Sequence, residues 1–311
     1  MKRMKSTKKT INPFLLEFGF KEIVGHNGPI YSIDADDSFL YSASSDKFVT
    51  RWLKENGEQD AFAVRCEDTP FAIKLFSNQS KLAVGLSTGQ LHIIDLLSKR
   101  ETHHFTQHKT GIFALHESIE NGLLLVGDAD GMLSIWETDS MKLVIVLPLS
   151  CGKIRSIKKM NAQTIVIAGG NGDVIHMELE FMNELERFYA HEGGTTALCV
   201  DETRQQLISG GKDGYLRWWD AKSFRLLKAL PAHKGNIYEL AFFSDDQFIS
   251  VSRDKTVKFW DAVQHKVLHK IEGEFLSKRQ SINALWCTQN GQFAFAGDDK
   301  KIHFYANHEQ L

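Results

Sequence analysis

Short runs of apolar residues, separated by turns rich in glycine, serine and aspartate, follow one another along almost the whole chain. One stretch shows the pattern well, with apolar runs at residues 237–242, 247–252 and 256–260 and a polar turn at 244–246. Runs of this length that are bounded by turn residues predict β-strands. No segment has a convincing helical period, so the sequence predicts an all-β protein.

This pattern of short strands repeats seven times. Each copy has a tight turn before its third strand, and the marker residues of these turns are 41 to 45 residues apart. The markers are Asp46, Thr88, Asp130, Asn171, Asp213, Asp254 and Asp299. A second marker, 40 to 45 residues apart, opens the first strand of each copy: Ile30, Pro70, Ile112, Ile154, Thr195, Ile237 and Ile282. Four strands at this period are typical of one blade of a β-propeller.

A tryptophan followed by an acidic residue ends the third strand of several copies. The pair is Trp219-Asp220 in the fifth copy, Trp260-Asp261 in the sixth and Trp136-Glu137 in the third. By these motifs, which repeat in register over residues 14–306, the chain resembles the WD-repeat β-propeller family. The resemblance implies a seven-bladed propeller of four-stranded antiparallel blades, which would form one domain over residues 14–311.

The resemblance also indicates how the ring closes. The seventh copy ends soon after residues 301–305 and lacks an outer strand. In WD-repeat proteins an amino-terminal strand fills that place, so we expect residues 18–23 to pair beside 302–305. Closure removes an open sheet edge, which would otherwise invite aggregation.

Composition bears on the class of function, the structure of the amino terminus and the cellular compartment. The net charge is −2, so charge alone favours neither a nucleic acid nor a membrane partner. A cluster of lysine and arginine near the amino terminus predicts a basic, disordered tail over residues 1–13. The sequence has no secretory signal and no apolar run that could span a bilayer. Its four cysteines show neither paired nor zinc-type spacing, which favours a reducing compartment, and we expect a cytoplasmic protein.

Histidine, serine, aspartate and tryptophan recur together in three blades, at nearly constant offsets. The three sets are His26, Ser42, Asp46 and Trp52; His191, Ser209, Asp213 and Trp219; and His233, Ser250, Asp254 and Trp260. Such residues could form a hydrolase triad, but a catalytic site has no reason to recur in each blade. The family resemblance instead implies buried hydrogen-bond networks that hold the strands of a blade together. We therefore predict no catalytic residues.

The other blades depart from this set. Blade three has His108, Asp130 and Trp136 but carries Val126 at the serine position, and blade seven carries Phe295 there, which predicts that its network cannot form. The adjacent His103 and His104 are placed in a polar connector, without a cysteine at metal-binding spacing. The sequence thus predicts neither a metal site nor a cofactor.

In this family, partners commonly dock on the face that carries the turn aspartates, which we call the top face. The resemblance places eight side chains of interest there: Tyr31, Phe71, Phe113, Lys153, Arg155, Lys212, Tyr238 and Arg253. A longer loop at residues 273–280 would add Phe275, Lys278 and Arg279 on the same side. Exposed aromatic residues beside arginine are typical of binding hot spots. The alternative is that the aromatic rings pack against one another across the mouth of the channel.

The leading functional interpretation is a non-catalytic scaffold, a monomeric propeller within a larger complex. Its partner would be a protein or peptide segment with apolar anchors and acidic residues. One alternative is an enzyme, with the adjacent carboxylates of Asp298 and Asp299 at the channel mouth. Another is a nucleic-acid-associated subunit that uses the basic tail and the top-face cations, and its binding would fall steeply with salt.

Overall fold

Seven four-stranded antiparallel sheets make up the computed structural model, which describes residues 18–272 and 281–307. Each of the first six blades takes four consecutive strands. Blade one contains β2 (Ile30–Ala35), β3 (Phe39–Ser44), β4 (Phe48–Leu53) and β5 (Gln59–Arg65). Blade two contains β6 (Pro70–Leu75), β7 (Lys81–Leu86), β8 (Leu91–Asp95) and β9 (Arg100–Phe105). Blade three contains β10 (Ile112–Ser118), β11 (Leu123–Asp128), β12 (Met132–Glu137) and β13 (Leu143–Pro148).

The remaining blades repeat this order. Blade four contains β14 (Ile154–Lys159), β15 (Thr164–Gly169), β16 (Asp173–Glu178) and β17 (Glu184–Tyr189). Blade five contains β18 (Thr195–Asp201), β19 (Gln206–Gly211), β20 (Tyr215–Asp220) and β21 (Leu226–Pro231). Blade six contains β22 (Ile237–Ser244), β23 (Gln247–Ser252), β24 (Val257–Asp261) and β25 (Lys266–Ile271). Blade seven joins β26 (Ile282–Cys287), β27 (Phe293–Gly297) and β28 (Lys301–Asn307) to β1 (Phe18–Val24).

Helix is confined, in the described part of the chain, to one 3-10 turn at Ile119–Asn121. No helix in residues 18–272 and 281–307 has the length and apolar character needed to cross a membrane. The prediction of an all-β, seven-bladed ring is confirmed.

The second strand of each blade explains why the apolar runs are continuous rather than alternating. All six residues of β11 are buried, because neighbouring blades cover both of its faces, whereas the outermost strand β21 is largely exposed. A Cβ atom at Gly127 would lie 2.4 Å from Cγ2 of Ile154 in the next blade, and Gly85 has the same relation to Ile112. The isoleucine that recurs as a marker therefore packs against a glycine of the preceding blade, where a larger residue would not fit.

The amino-terminal strand closes the ring as predicted. Strand β1 pairs antiparallel with β28, from Phe18 opposite Asn307 to Val24 opposite Lys301. The side chain of Ile23 is only 2% exposed and belongs to the core cluster that includes Ile302. The outer edge of β28 is thereby paired rather than left open.

The predicted residues of blade one meet in a single hydrogen-bonded chain. Nδ1 of His26 lies 2.8 Å from a carboxylate oxygen of Asp46, and its Nε2 lies 2.7 Å from the hydroxyl of Ser42. The indole N–H of Trp52 donates to the same hydroxyl at 2.7 Å. A proton on Nδ1 satisfies every group, because the serine then accepts from the indole and donates to Nε2. Blades five and six repeat these contacts at 2.7 to 3.1 Å.

Replacing Asp213 by alanine should cost about 2 kcal/mol of stability or more, because His191 and Arg217 would lose their shared carboxylate. Burial raises the pKa of Asp213, but the hydrogen bond and charge of His191, the Tyr215 amide and Arg217 together lower it to about 2. Its contribution is therefore complete above the ordinary pKa of 3.8 and is lost as pH falls through about 2. Urea unfolding of the unchanged chain and of Asp213→Ala at several pH values measures this loss of stability. Equal stability of the two at pH 7 would contradict the prediction.

Blade three forms a complete network, but not with the residues that the sequence indicated. Nδ1 of His108 lies 2.8 Å from the carboxylate of Asp128, and the exposed Asp130 is not the partner. The hydroxyl comes from Ser134 on β12, which lies 2.7 Å from Nε2 of His108 and accepts the indole N–H of Trp136 at 2.8 Å. Ser134 is directly opposite Val126 in the β11–β12 register, so the adjacent strand supplies the hydroxyl that Val126 lacks. The prediction that Asp130 serves this blade is wrong.

Blade seven contains a shorter arrangement. Nε2 of His303 lies 2.6 Å from the carboxylate of Asp299, and the ring of Phe295 stacks on the histidine at 4.9 Å. The serine is replaced by an aromatic ring, and the turn aspartate nevertheless has a histidine partner. His103 and His104 also differ from expectation, because they lie in strand β9 rather than in a connector.

Candidate partner-binding surface

A bulge at the start of each innermost strand positions the predicted top-face residues. Tyr31 in β2 is skipped in the register between Ile30 and Ser32, and the same irregularity occurs at the matching position of the other six blades. The residues at this position are Tyr31, Phe71, Phe113, Arg155, Thr196, Tyr238 and Asn283. A bulge turns the extra side chain away from the regular pleat. Six of these side chains line the channel mouth: Tyr31, Phe71, Phe113, Arg155, Tyr238 and Asn283.

The aromatic rings of the mouth form a continuous row across three blades. The rings of Tyr31 and Phe71 meet edge to face with centroids 5.4 Å apart, and those of Phe71 and Phe113 stack at 4.6 Å. All three side chains remain partly exposed. The rings therefore pack against one another, as the structural alternative proposed, and still present an apolar surface.

Two cations extend this row into blade four. Nζ of Lys153 lies 3.8 Å from the ring centre of Phe113, and the guanidinium of Arg155 lies 5.2 Å from Phe113 and 5.7 Å from Tyr238. Burial lowers the pKa of Lys153, and the positive charges of Arg155 and Lys212 lower it further. Among the described residues, neither Lys153 nor Arg155 has a carboxylate within ion-pair distance. Both cations are held by aromatic faces instead.

The mouth opens into a channel cavity of about 540 Å³. Deeper in the channel the charges are paired: Nζ of Lys74 lies 2.8 Å from a carboxylate oxygen of Asp34, and Lys158 lies 4.0 Å from Glu239. Charge is thus balanced inside the channel, and the excess positive charge lies at its mouth.

A second cavity, of about 530 Å³, lies on the top face between blades five and six. It is lined by Lys212, Lys234 and Arg253, together with Gly235, Asn236 and Asp254. The three cations are exposed, whereas the Asp254 carboxylate is occupied by His233, Thr256 and the amide of Lys234. Lys234 was missed from the sequence because it follows a network histidine, a position not assigned to the top face.

Other residues of this face have structural roles. The hydroxyl of Thr196 is buried and donates to Asn236 at 2.9 Å. The carboxylate of Asp298 accepts from Ser281 at 2.7 Å and from Asn283 at 2.8 Å, and Asp299 is paired with His303. The two adjacent carboxylates on which the enzyme interpretation depended therefore both serve as acceptors within blade seven. The predicted contribution of Phe275, Lys278 and Arg279 lies outside the described residues.

Comparison with known proteins agrees with the geometry of the ring. A family described as Nucleolar protein 10-like, N-terminal domain, matches residues 55–307, which is more than half of the chain. The chain belongs to this family. The WD domain, G-beta repeat, matches residues 20–52, in the first blade and the strand before it.

The relatives that this chain matches are distant from it in sequence. The kinesin-like protein KIF21A of Homo sapiens is 21% identical over 283 residues, which is 86% of this chain but 16% of the relative. The WD repeat-containing protein 55 of Arabidopsis thaliana is 23% identical over 231 residues, covering 73% of this chain and 65% of the relative. The p21-activated protein kinase-interacting protein 1-like of Danio rerio is 25% identical over 149 residues, 47% of this chain and 39% of the relative. The chain thus spans about a sixth of the human kinesin-like protein.

Proposed function

We propose that the chain is a non-catalytic scaffold whose top face binds a partner segment with apolar anchors and acidic residues. The observation that carries the proposal is the position of the Arg155 side chain. Its guanidinium lies at the channel mouth between the rings of Phe113 and Tyr238, and no described carboxylate pairs with it. The charge of Glu239 acts on this guanidinium, but the Glu239 carboxylate lies at ion-pair distance from Lys158 instead. Burying a cation without a direct ion pair is costly, so an incoming carboxylate regains much of that cost.

Preorganisation supports the proposal. Arg155 is already held by two aromatic rings, so binding a carboxylate sacrifices little side-chain freedom. A guanidinium also offers two parallel N–H groups to a carboxylate, which adds directionality to the ion pair. The adjacent row of Tyr31, Phe71 and Phe113 provides an apolar platform for an aromatic or aliphatic side chain of the partner.

A second acidic residue of the partner would lie over the cavity between blades five and six. Lys212, Lys234 and Arg253 line it, and none of the three forms an ion pair with an acid of the described residues. The partner segment would therefore run from the apolar row, past Arg155, toward these cations. The Danio rerio relative is named for its interaction with a protein kinase, which supports a role in protein interaction.

The proposal predicts that alanine at Tyr31, Phe71, Phe113 and Tyr238 abolishes partner capture. The affinity for a purified partner should fall about a hundredfold or more, since hot-spot truncations cost about 2 kcal/mol or more each. Affinity capture with mass spectrometry, followed by titration of the partner, measures this. A cooperative melting transition must first show that the quadruple variant is folded. A folded variant that still captures every partner would refute the proposal.

The opposite face provides a matched control. The turns between the first and second strands, and between the third and fourth, lie at the bottom of each blade. They carry four exposed apolar side chains: Leu97, Ile119, Phe181 and Val263. Alanine at these four positions truncates the same number of side chains as the top-face variant and should leave partner capture unchanged. Equal loss from both faces would assign the effect to stability rather than to the top face.

The exposed cations favour one other candidate, a nucleic acid. Reversing Lys212, Lys234 and Arg253 to glutamate distinguishes the two. If the partner is a short acidic segment, binding to the aromatic row persists in weakened form and depends moderately on salt. If it is a nucleic acid, the logarithm of the binding constant falls linearly with the logarithm of the salt concentration. The slope is then set by the number of phosphates contacted.

The cellular setting is a further proposal. All four cysteines carry free thiols, which supports a reducing compartment, and we propose the cytoplasm. The nucleolus is the alternative, because the matched family is described by a nucleolar protein. Microscopy of a fluorescently tagged chain distinguishes the two compartments, and size exclusion of the cell extract tests whether the propeller belongs to a larger complex.

A further inference from the structure

The outer hairpin of blade two brings together three potential metal ligands. His92 in β8 lies directly opposite His104 in β9, and Ile94 lies opposite Glu101. Residues 101 and 104 would face opposite sides of a regular strand. Thr102 is skipped in the register, however, and this bulge returns Glu101 to the face that carries both histidines.

The distances suit a small cation. One ligand atom from each of His92, Glu101 and His104 can be chosen so that all three lie within 4.8 Å of one another. Nδ1 of His92 lies 3.4 Å from the Glu101 carboxylate, which is longer than an ordinary hydrogen bond. It matches the separation of roughly 3.4 Å between two ligands on a tetrahedral ion with bonds near 2.1 Å.

The third ligand needs a modest movement. The rings of His92 and His104 stack with centroids 4.5 Å apart and planes 9° apart, so one ring must turn before both nitrogens face one ion. His104 and Glu101 are exposed and can rotate, whereas His92 is half-buried and provides the fixed ligand. The exposed side also leaves the fourth position open to water.

The surroundings of His92 favour a cation. The carboxylates of Glu101 and Glu67 both act on the ring with negative charge. Nε2 of His92 is buried and makes no hydrogen bond in the described part of the chain. Within the described residues, Glu101 is thus the one charged group that the His92 ring meets at ion-pair distance.

We propose that His92, Glu101 and His104 bind one divalent cation of the zinc class. Two imidazoles and a carboxylate are a common ligand set for zinc. The ion would join β9 to β8 in blade two, which has Cys66, Val84 and Thr88 in place of the histidine, serine and aspartate of the complete networks. It would thus fasten the outer hairpin of a blade that lacks the usual buried network.

Calorimetric titration of the chelator-treated chain with zinc chloride tests the proposal. We expect one ion per chain and a higher melting temperature with zinc. His104→Gln and Glu101→Gln should each weaken binding at least about tenfold, because even the loss of an outer-shell partner has an effect of this size. His103→Gln is the matched control, since His103 lies on the other face of β9, with Nδ1 3.1 Å from the Thr102 hydroxyl.

Each outcome decides the proposal. Binding at one ion per chain that both ligand variants weaken and His103→Gln leaves intact supports it. Absence of stoichiometric binding overturns it, as does zinc binding that is equally strong in His104→Gln and His103→Gln, since the ion would then lie elsewhere. A readout by zinc binding is independent of partner capture, so this result does not bear on the top-face proposal.

Discussion

Removal of residues 1–24 should lower the melting temperature by roughly 10 °C or more, or yield aggregated protein, because the seventh blade loses its outer strand. Strand β1 supplies seven consecutive pairing positions to β28. It also buries Ile23 against Ile302 and places the ring of Phe18 5.4 Å from that of Phe293. Without it, β28 would present an unpaired edge to solvent and to other chains. Differential scanning calorimetry and light scattering measure both consequences.

Two comparisons isolate the contribution of the strand. A deletion of residues 1–17 keeps β1 and should melt well above the longer deletion. Within the strand, Ile23→Ala should cost about 2–4 kcal/mol, because Ile23 is almost fully buried. Val24→Ala should change stability by less than about 0.5 kcal/mol, because Val24 is 63% exposed. If the 1–24 deletion melts like the full chain, closure of the ring by β1 is unnecessary for stability.

The ring was predictable because its physical requirements recur in every blade. The isoleucine marker is spaced evenly since each copy packs against the preceding blade, against glycine at Gly85, Gly127 and Gly210. The turn marker recurs since a carboxylate there satisfies a histidine and nearby backbone amides, as Asp46 does for His26 and the amides of Asn27 and Phe48. Both requirements depend on short-range spacing, which a sequence displays directly.

The predictions that were wrong concern which strand supplies the hydroxyl or the histidine of a hydrogen-bond network. Position 126 and position 134 are opposite one another in the β11–β12 register, so a hydroxyl from either can reach His108. Spacing along the chain identifies only the first of these. The same reason explains why His303, on the strand after the turn, was not predicted as the partner of Asp299.

The candidate surface was predictable only in part. The offsets from the repeat histidine named Tyr31, Phe71 and Phe113, and the structure shows that a bulge turns these residues into the mouth. Their mutual stacking, and the absence of a direct ion pair for Arg155 within residues 18–272 and 281–307, depend on neighbouring blades and could not be read from one repeat. The grouping of His92 with Glu101 depends on a second bulge, which reverses the face expected from simple alternation.

Asp128→Ala should be the most destabilising single change in the hydrogen-bond networks, at about 3 kcal/mol or more. The carboxylate of Asp128 is 1% exposed, compared with 12% for that of Asp213. It accepts from His108 at 2.8 Å and from the amides of Asp130 and Met132 at 2.9 Å each. Alanine would leave these three donors buried or constrained in the turn without an acceptor.

Asp130→Ala is the matched control, because Asp130 lies two residues away in the same turn and its side chain is exposed. Each variant removes one aspartate carboxylate from the same turn segment, so a difference in stability between them reports the buried contacts of Asp128. We expect Asp130→Ala to lie within about 0.5 kcal/mol of the unchanged chain in urea unfolding. The repeat spacing alone predicts the opposite order, with Asp130 as the network residue. A larger loss for Asp130→Ala than for Asp128→Ala would therefore support the spacing and contradict the contacts of blade three.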